Sequence, residues 1–140
     1  MMDVLEHIED DVSFLKDVTS RVKGRCYFFV TVPAFRQLWS GHDVFLGHFR
    51  RYSLSEIKHS LIKANFFPRK SYYQFGMIFP IVYFLRKLAN KSSQAKNDMK
   101  PVNPVVNEIL KQLLGIEMLL TQYNHWFGLT STVEGYIEQM

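Results

Sequence analysis

The chain has a single cysteine, Cys26, which excludes a disulfide framework and any zinc site built on thiolates. A reducing, cytoplasmic compartment is the expectation that follows. Its glycines are Gly24, Gly41, Gly47, Gly76, Gly115, Gly128 and Gly135, and no two stand close enough to form a Gly-rich cofactor-binding turn. The apolar stretch Met77 to Leu88 ends in Arg86, Lys87 and falls far short of the roughly 20 residues a bilayer-spanning helix needs. A basic flank and apolar run are also missing at the start, where Asp3, Glu6, Glu9, Asp10 and Asp11 stand instead, so export is not expected.

What is present is one domain's worth of chain: 140 residues, 47% of them hydrophobic. The charge is unevenly spread. Residues 1 to 49 hold 5 basic against 7 acidic side chains, residues 50 to 100 hold 11 against 2, and residues 101 to 140 hold 1 against 4. A middle of +9 suits an anionic surface, either phospholipid head groups or nucleic acid, as well as an ordinary solvated face. Nucleic acid is not the expected partner. No helix-turn-helix, zinc-finger or RNA-recognition signature is present, and Tyr72, Tyr73 and Phe75 read more simply as a strand with core contacts.

Periodicity predicts alternating elements. Ile8, Val12, Leu15, Val18 and Val22 form one helical stripe stopped by Gly24. Cys26 to Val32 is a continuous apolar run ending at Pro33, the pattern of a strand buried on both faces. Ser53 and Glu56 have the spacing of a capping box, and Ile57, Leu61, Ile62 and Ala64 supply the stripe of the helix they open, which Asn65 and Pro68 end. Residues 71 to 75 read as a strand, 77 to 88 as a helix, 90 to 100 as a polar linker, 104 to 120 as an amphipathic helix and 130 to 137 as a last strand.

The order of "DVLEHI", "FFVTVPAF" and "LWSGHDVFLGHFRRYS" within the first 53 residues resembles the C-terminal half of a class I S-adenosylmethionine-dependent methyltransferase, of the type 11/12-like kind. That resemblance implies an α/β fold: a partial Rossmann-like sheet made of the fourth to seventh strands with flanking helices, the N-terminal half being absent. It places the fourth strand at residues 3 to 7, the active-site loop within residues 1 to 52, and the C-terminal helices and last two strands in residues 53 to 140, with the seventh strand running antiparallel beside the fifth. It also implies S-adenosylmethionine as cofactor, contacted by Leu5, Glu6 and His7, with weak or no binding to this chain alone. The structural alternative for that tripeptide is a helix start with acids at its positive end. An uncovered sheet edge would invite a partner chain.

The segment from Trp39 to Tyr52 concentrates two His, one Asp and two Arg in one connection. A metal site on His42, Asp43 and His48 would need further ligands in fixed geometry, no further Cys or His cluster stands out, and no metal is expected. A His-Asp metal phosphohydrolase would likewise draw ligands from several helices that the chain does not offer. As the lid of a methyl-transfer site, implied by the resemblance, His42, Asp43 and His48 are the catalytic candidates and Trp39, Arg50, Arg51 and Tyr52 the substrate-binding ones. A sulfonium is already an excellent leaving group, so such a site needs mainly an acceptor held in line and, for a hydroxyl acceptor, a base such as imidazole. Asp43 would orient one ring, and the arginines would grip an anionic group unless they, with Tyr52, anchor the lid to the next helix. The expected acceptor is a small molecule or lipid-like. The rival reading is a non-catalytic remnant that binds a membrane surface or a partner chain. In a peripheral membrane contact, Met77, Ile78, Phe79, Ile81, Val82, Phe84 and Leu85 would enter the interface, while Arg86, Lys87 and Lys91 meet head groups.

Overall fold

A computed structural model of the chain describes residues 1–88 and 103–139, so the polar linker expected at 90 to 100 lies outside the described residues. The elements run α1 (Asp11–Arg21), β1 (Gly24–Pro33), α2 (Gly41–Phe45), α3 (Leu54–Lys63), β2 (Phe66–Gln74), α4 (Phe79–Leu88), α5 (Pro104–Leu120) and β3 (Thr130–Gln139). Tight helical turns lie at Leu5–His7, Arg36–Leu38 and Thr121–Tyr123. The protein is mixed α/β, with an open three-stranded sheet in the order β1-β3-β2 in which β3 is antiparallel to both neighbours.

The strand expected at residues 3 to 7 is not formed. Met2 makes one parallel bridge to Thr31 of β1, with Asp3 N donating to Thr31 O at 3.0 Å, after which the backbone turns at Asp3 (φ 50°) into the helical turn Leu5–His7. A turn that begins so soon leaves no run of amides to extend the ladder. The strand at 24–33 is also not buried throughout. Its first half is exposed and only Val30, Thr31 and Val32 are fully enclosed.

β2 begins at Phe66, earlier than the apolar pattern suggested, and passes through Pro68. Proline survives there because β2 is an edge strand and the register with β3 shifts between Pro68 and Lys70. Opposite Pro68 lies Gly135, where a Cβ would stand 2.1 Å from Phe67 O, so only glycine lets the two backbones approach this closely.

The main core lies between the sheet and the helices α1 and α3. Leu5, Leu15, Val30, Val32, Ile57, Leu61, Phe66, Val133 and Ile137 are buried together there. α3 starts at the expected capping box: Ser53 N donates to Glu56 Oε2 at 2.8 Å and Glu56 N to Ser53 Oγ at 3.3 Å. It ends before Asn65, whose left-handed φ of 61° suits an asparagine. α4 and α5 contrast with these helices, since no side chain of α4 is buried and Glu117 is the one buried residue of α5. The Glu117 carboxylate accepts from the backbone N–H groups of Gly76 and Met77, which ties α5 to the chain leading into α4. No helix among the described residues is long and apolar enough to cross a membrane.

Candidate functional site

β1 delivers the chain to the site through Ala34 and Phe35. Phe35 has φ 56°, an unfavourable value for a bulky residue, and its ring stacks on Tyr73 at 4.8 Å. The loop that follows folds around one carboxylate. Asp43 is fully buried, and its oxygens accept from Ser40 N (2.9 Å), Arg51 Nε (2.7 Å) and Arg51 Nη2 (3.2 Å), while Oδ1 also meets His48 Nδ1 at 3.0 Å. Burial alone would raise this carboxyl, but the Arg51 guanidinium, aided by His48 and Ser40, outweighs it and holds Asp43 below the ordinary carboxylate value. Arg51 also donates through Nη1 to Ala34 O at 3.1 Å, so one ion pair ties both ends of the loop to the end of β1.

The turn Leu5–His7 packs onto this loop. Phe49 N donates to Glu6 O at 2.7 Å, and the His7 and His48 rings meet edge to face at 4.7 Å. The Glu6 side chain is 1% exposed, and its Oε2 has no hydrogen-bond partner. Burial pushes its carboxyl up to about 7, with the nearby Asp3 charge adding to the rise. Glu6, His7 and His48 each offer a ligand atom, and the three atoms lie within 4.8 Å of one another.

The expected site residues thus fall into two groups. Glu6, His7 and His48 come together with Asp43 behind His48, whereas the Leu5 side chain is buried in the main core. Of the two rings within its own loop, Asp43 holds His48; His42 is half-buried, with a buried Nδ1 that has no partner. Trp39 remains partly open at the start of the loop. The expected substrate grips are turned inward instead. Arg51 and Tyr52 are buried, and the Tyr52 hydroxyl donates a hydrogen bond within 3.0 Å of Asp11 Oδ2 and also lies 3.3 Å from Leu5 O. Arg50 donates to Glu9 O and lies 3.6 Å from Asp11, at the start of α1. Arg50 and Tyr52 therefore anchor the loop to the first turn and the start of α1, and Arg51 anchors it to Asp43 and the end of β1, which is why their polar atoms face protein. The ligand set His42, Asp43 and His48 is not assembled either, because the Asp43 oxygens are engaged by Arg51, Ser40 and His48.

Two contacts had no signal in the sequence. Arg86 of α4, expected to face head groups, donates to Leu38 O and lies 3.9 Å from Asp43 Oδ2. Phe79, expected to enter a membrane, packs its ring between Phe35 and Phe127 at 5.4 and 5.5 Å. Two cavities of about 610 and 490 Å³ lie elsewhere, both walled in part by Glu117 of α5, and neither includes a residue of the 41–52 loop. No protein-family model matches the chain, and no curated protein matches it at a significant level.

Proposed function

We propose that the chain is the acceptor-side portion of a class I S-adenosylmethionine-dependent methyltransferase that acts on a small or lipid-like acceptor and is inactive without a donor-binding portion. The observation that carries this reading is the strand order. β3, last in the chain, lies between β1 and β2 and antiparallel to both, in keeping with the resemblance, which implies a seventh strand running antiparallel beside the fifth. The parallel bridge from Met2 to Thr31 lies where the fourth strand of such a sheet would pair. The contact of Leu5–His7 with His48 supports a single site at that sheet end, where α/β proteins bind ligands.

In this reading, Leu5, Glu6 and His7 border the donor and the loop closes over the acceptor. Asp43 fixes His48 through Nδ1, which leaves Nε2 as the nitrogen that accepts the proton of an acceptor hydroxyl while the methyl group moves from sulfur to oxygen. Arg51 and Tyr52 act by holding the loop, not by touching the acceptor. Ultraviolet crosslinking with radiolabelled S-adenosylmethionine tests the placement. Label on the peptide that carries Leu5 to His7 is expected; label confined to α4 and α5 would contradict it.

A second reading, a non-catalytic protein held at an anionic lipid surface, is favoured by the apolar side chains that α4 and α5 leave in solvent, among them Ile81, Phe84, Leu85, Val105 and Met118.

A further inference from the structure

The geometry points to a divalent transition-metal site formed by Glu6, His7 and His48. Three observations meet there. One ligand atom from each residue lies within 4.8 Å of the other two, although the residues come from a turn and a loop widely separated in sequence. Glu6 is almost fully buried, with a carboxylate oxygen that no protein group satisfies, and a polar atom left so is costly unless a ligand completes it. Asp43 lies behind His48 at 3.0 Å from Nδ1 and is itself clamped by Arg51, giving the carboxylate–imidazole pairing that orients metal-bound histidines. A His48 ring that donates Nδ1–H to Asp43 presents the Nε2 lone pair as the ligand.

Two imidazoles and one carboxylate form a borderline donor set, suited to Zn²⁺ and its first-row neighbours and not to Mg²⁺ or Ca²⁺, which prefer all-oxygen shells. Bonds of about 2.0–2.1 Å at tetrahedral angles set ligand atoms about 3.3 Å apart. The ligand atoms, up to 4.8 Å apart, must therefore close by as much as about 1.5 Å, a movement to which the exposed His7 can contribute by side-chain rotation. Three protein ligands leave a fourth position for water or a substrate oxygen, the pattern of a reactive zinc centre more than a structural one. The site does not depend on the methyl-transfer reading. A bound ion would occupy the lone pair by which His48 serves as base, so the two roles of that ring exclude each other.

Calorimetric titration of the whole chain with Zn²⁺ alone, at neutral pH, tests the site, with the visible absorption of added Co²⁺ as a second readout. One saturable ion per chain and a tetrahedral Co²⁺ spectrum are expected. His7→Ala and Glu6→Gln should each weaken binding by at least about tenfold, while His125→Ala, which alters another exposed histidine, should not change it. His7 is exposed and carries little of the fold, so its variant decides the matter even if His48→Gln proves unstable. Absence of saturable one-to-one binding, binding that ignores both His7→Ala and Glu6→Gln, or a preference for Mg²⁺ over Zn²⁺ would each overturn the site. None of these results bears on crosslinking to S-adenosylmethionine, so the two ideas fail separately.

Discussion

The Arg51 guanidinium forks around the Asp43 carboxylate, Nε to Oδ1 at 2.7 Å and Nη2 to Oδ2 at 3.2 Å, with both side chains buried. Such a pair contributes little net stability against an apolar replacement, but deleting one partner strands the other charge in the interior. Asp43→Ala or Arg51→Ala should destabilise by about 3–5 kcal/mol in urea unfolding. Arg51→Lys should recover only part of the loss, since an ammonium cannot make the fork. A loss below about 1 kcal/mol for Arg51→Ala would mean that the loop is not held by this pair.

The close approach of β2 and β3 rests on Gly135. Adding a methyl group at a point 2.1 Å from Phe67 O forces the strands apart next to the Pro68 irregularity. Gly135→Ala should cost about 1–3 kcal/mol and lower the thermal midpoint. An unchanged midpoint would show that Pro68 and Gly135 do not face each other in this register.

α3 carries the core residues Ile57 and Leu61, and its capping box gives a pH-dependent handle. Ser53→Ala should cost about 1 kcal/mol. The Ser53 backbone N–H is the first cause that holds the Glu56 carboxyl below its ordinary value of 4.5. Because the folded value is depressed, the stabilisation is fully present above 4.5 and is lost as pH falls through the folded value. The stability gap between the natural protein and Glu56→Gln, followed by urea midpoints, should therefore close in strong acid. A gap that widens there would reverse the sign and refute the cap.

The apolar side chains of α4 and α5 make the lipid reading measurable. Co-sedimentation with anionic vesicles should be substantial at low salt, fall as salt screens the basic surface, and weaken in Phe84→Glu. A protein that stays in the supernatant with anionic vesicles at low salt would leave only a water-soluble acceptor for the site.

Much of the fold could be read from the chain because its signals are local. The stripe of Leu15 and Val18, the Ser53–Glu56 spacing and the apolar run into Pro33 each specify an element through neighbours in sequence. Pro68 misled, since a residue that commonly breaks strands is accommodated here by an edge and a register shift, both of which depend on where β3 lies. In the site, Asp43 and His48 were legible as a polar cluster within one loop. The inward turn of Arg51 and Tyr52 was not, because the density of polar residues does not reveal which way they face. Nor was the meeting of Glu6 and His7 with His48, which depends on Phe49 N bonding to Glu6 O across two segments distant in sequence.

The most direct measurement is a titration of isotope-labelled chain with S-adenosylhomocysteine, followed residue by residue by nuclear magnetic resonance. Without a Gly-rich turn among its glycines the chain should bind only in the millimolar range, with shifts centred on Leu5, Glu6 and His7 and extending to His48. Micromolar binding would mean that the donor is gripped by groups other than these. Shifts confined to α4 and α5, with none at Leu5 to His7 or His48, would contradict an acceptor-side methyltransferase site at this end of the sheet.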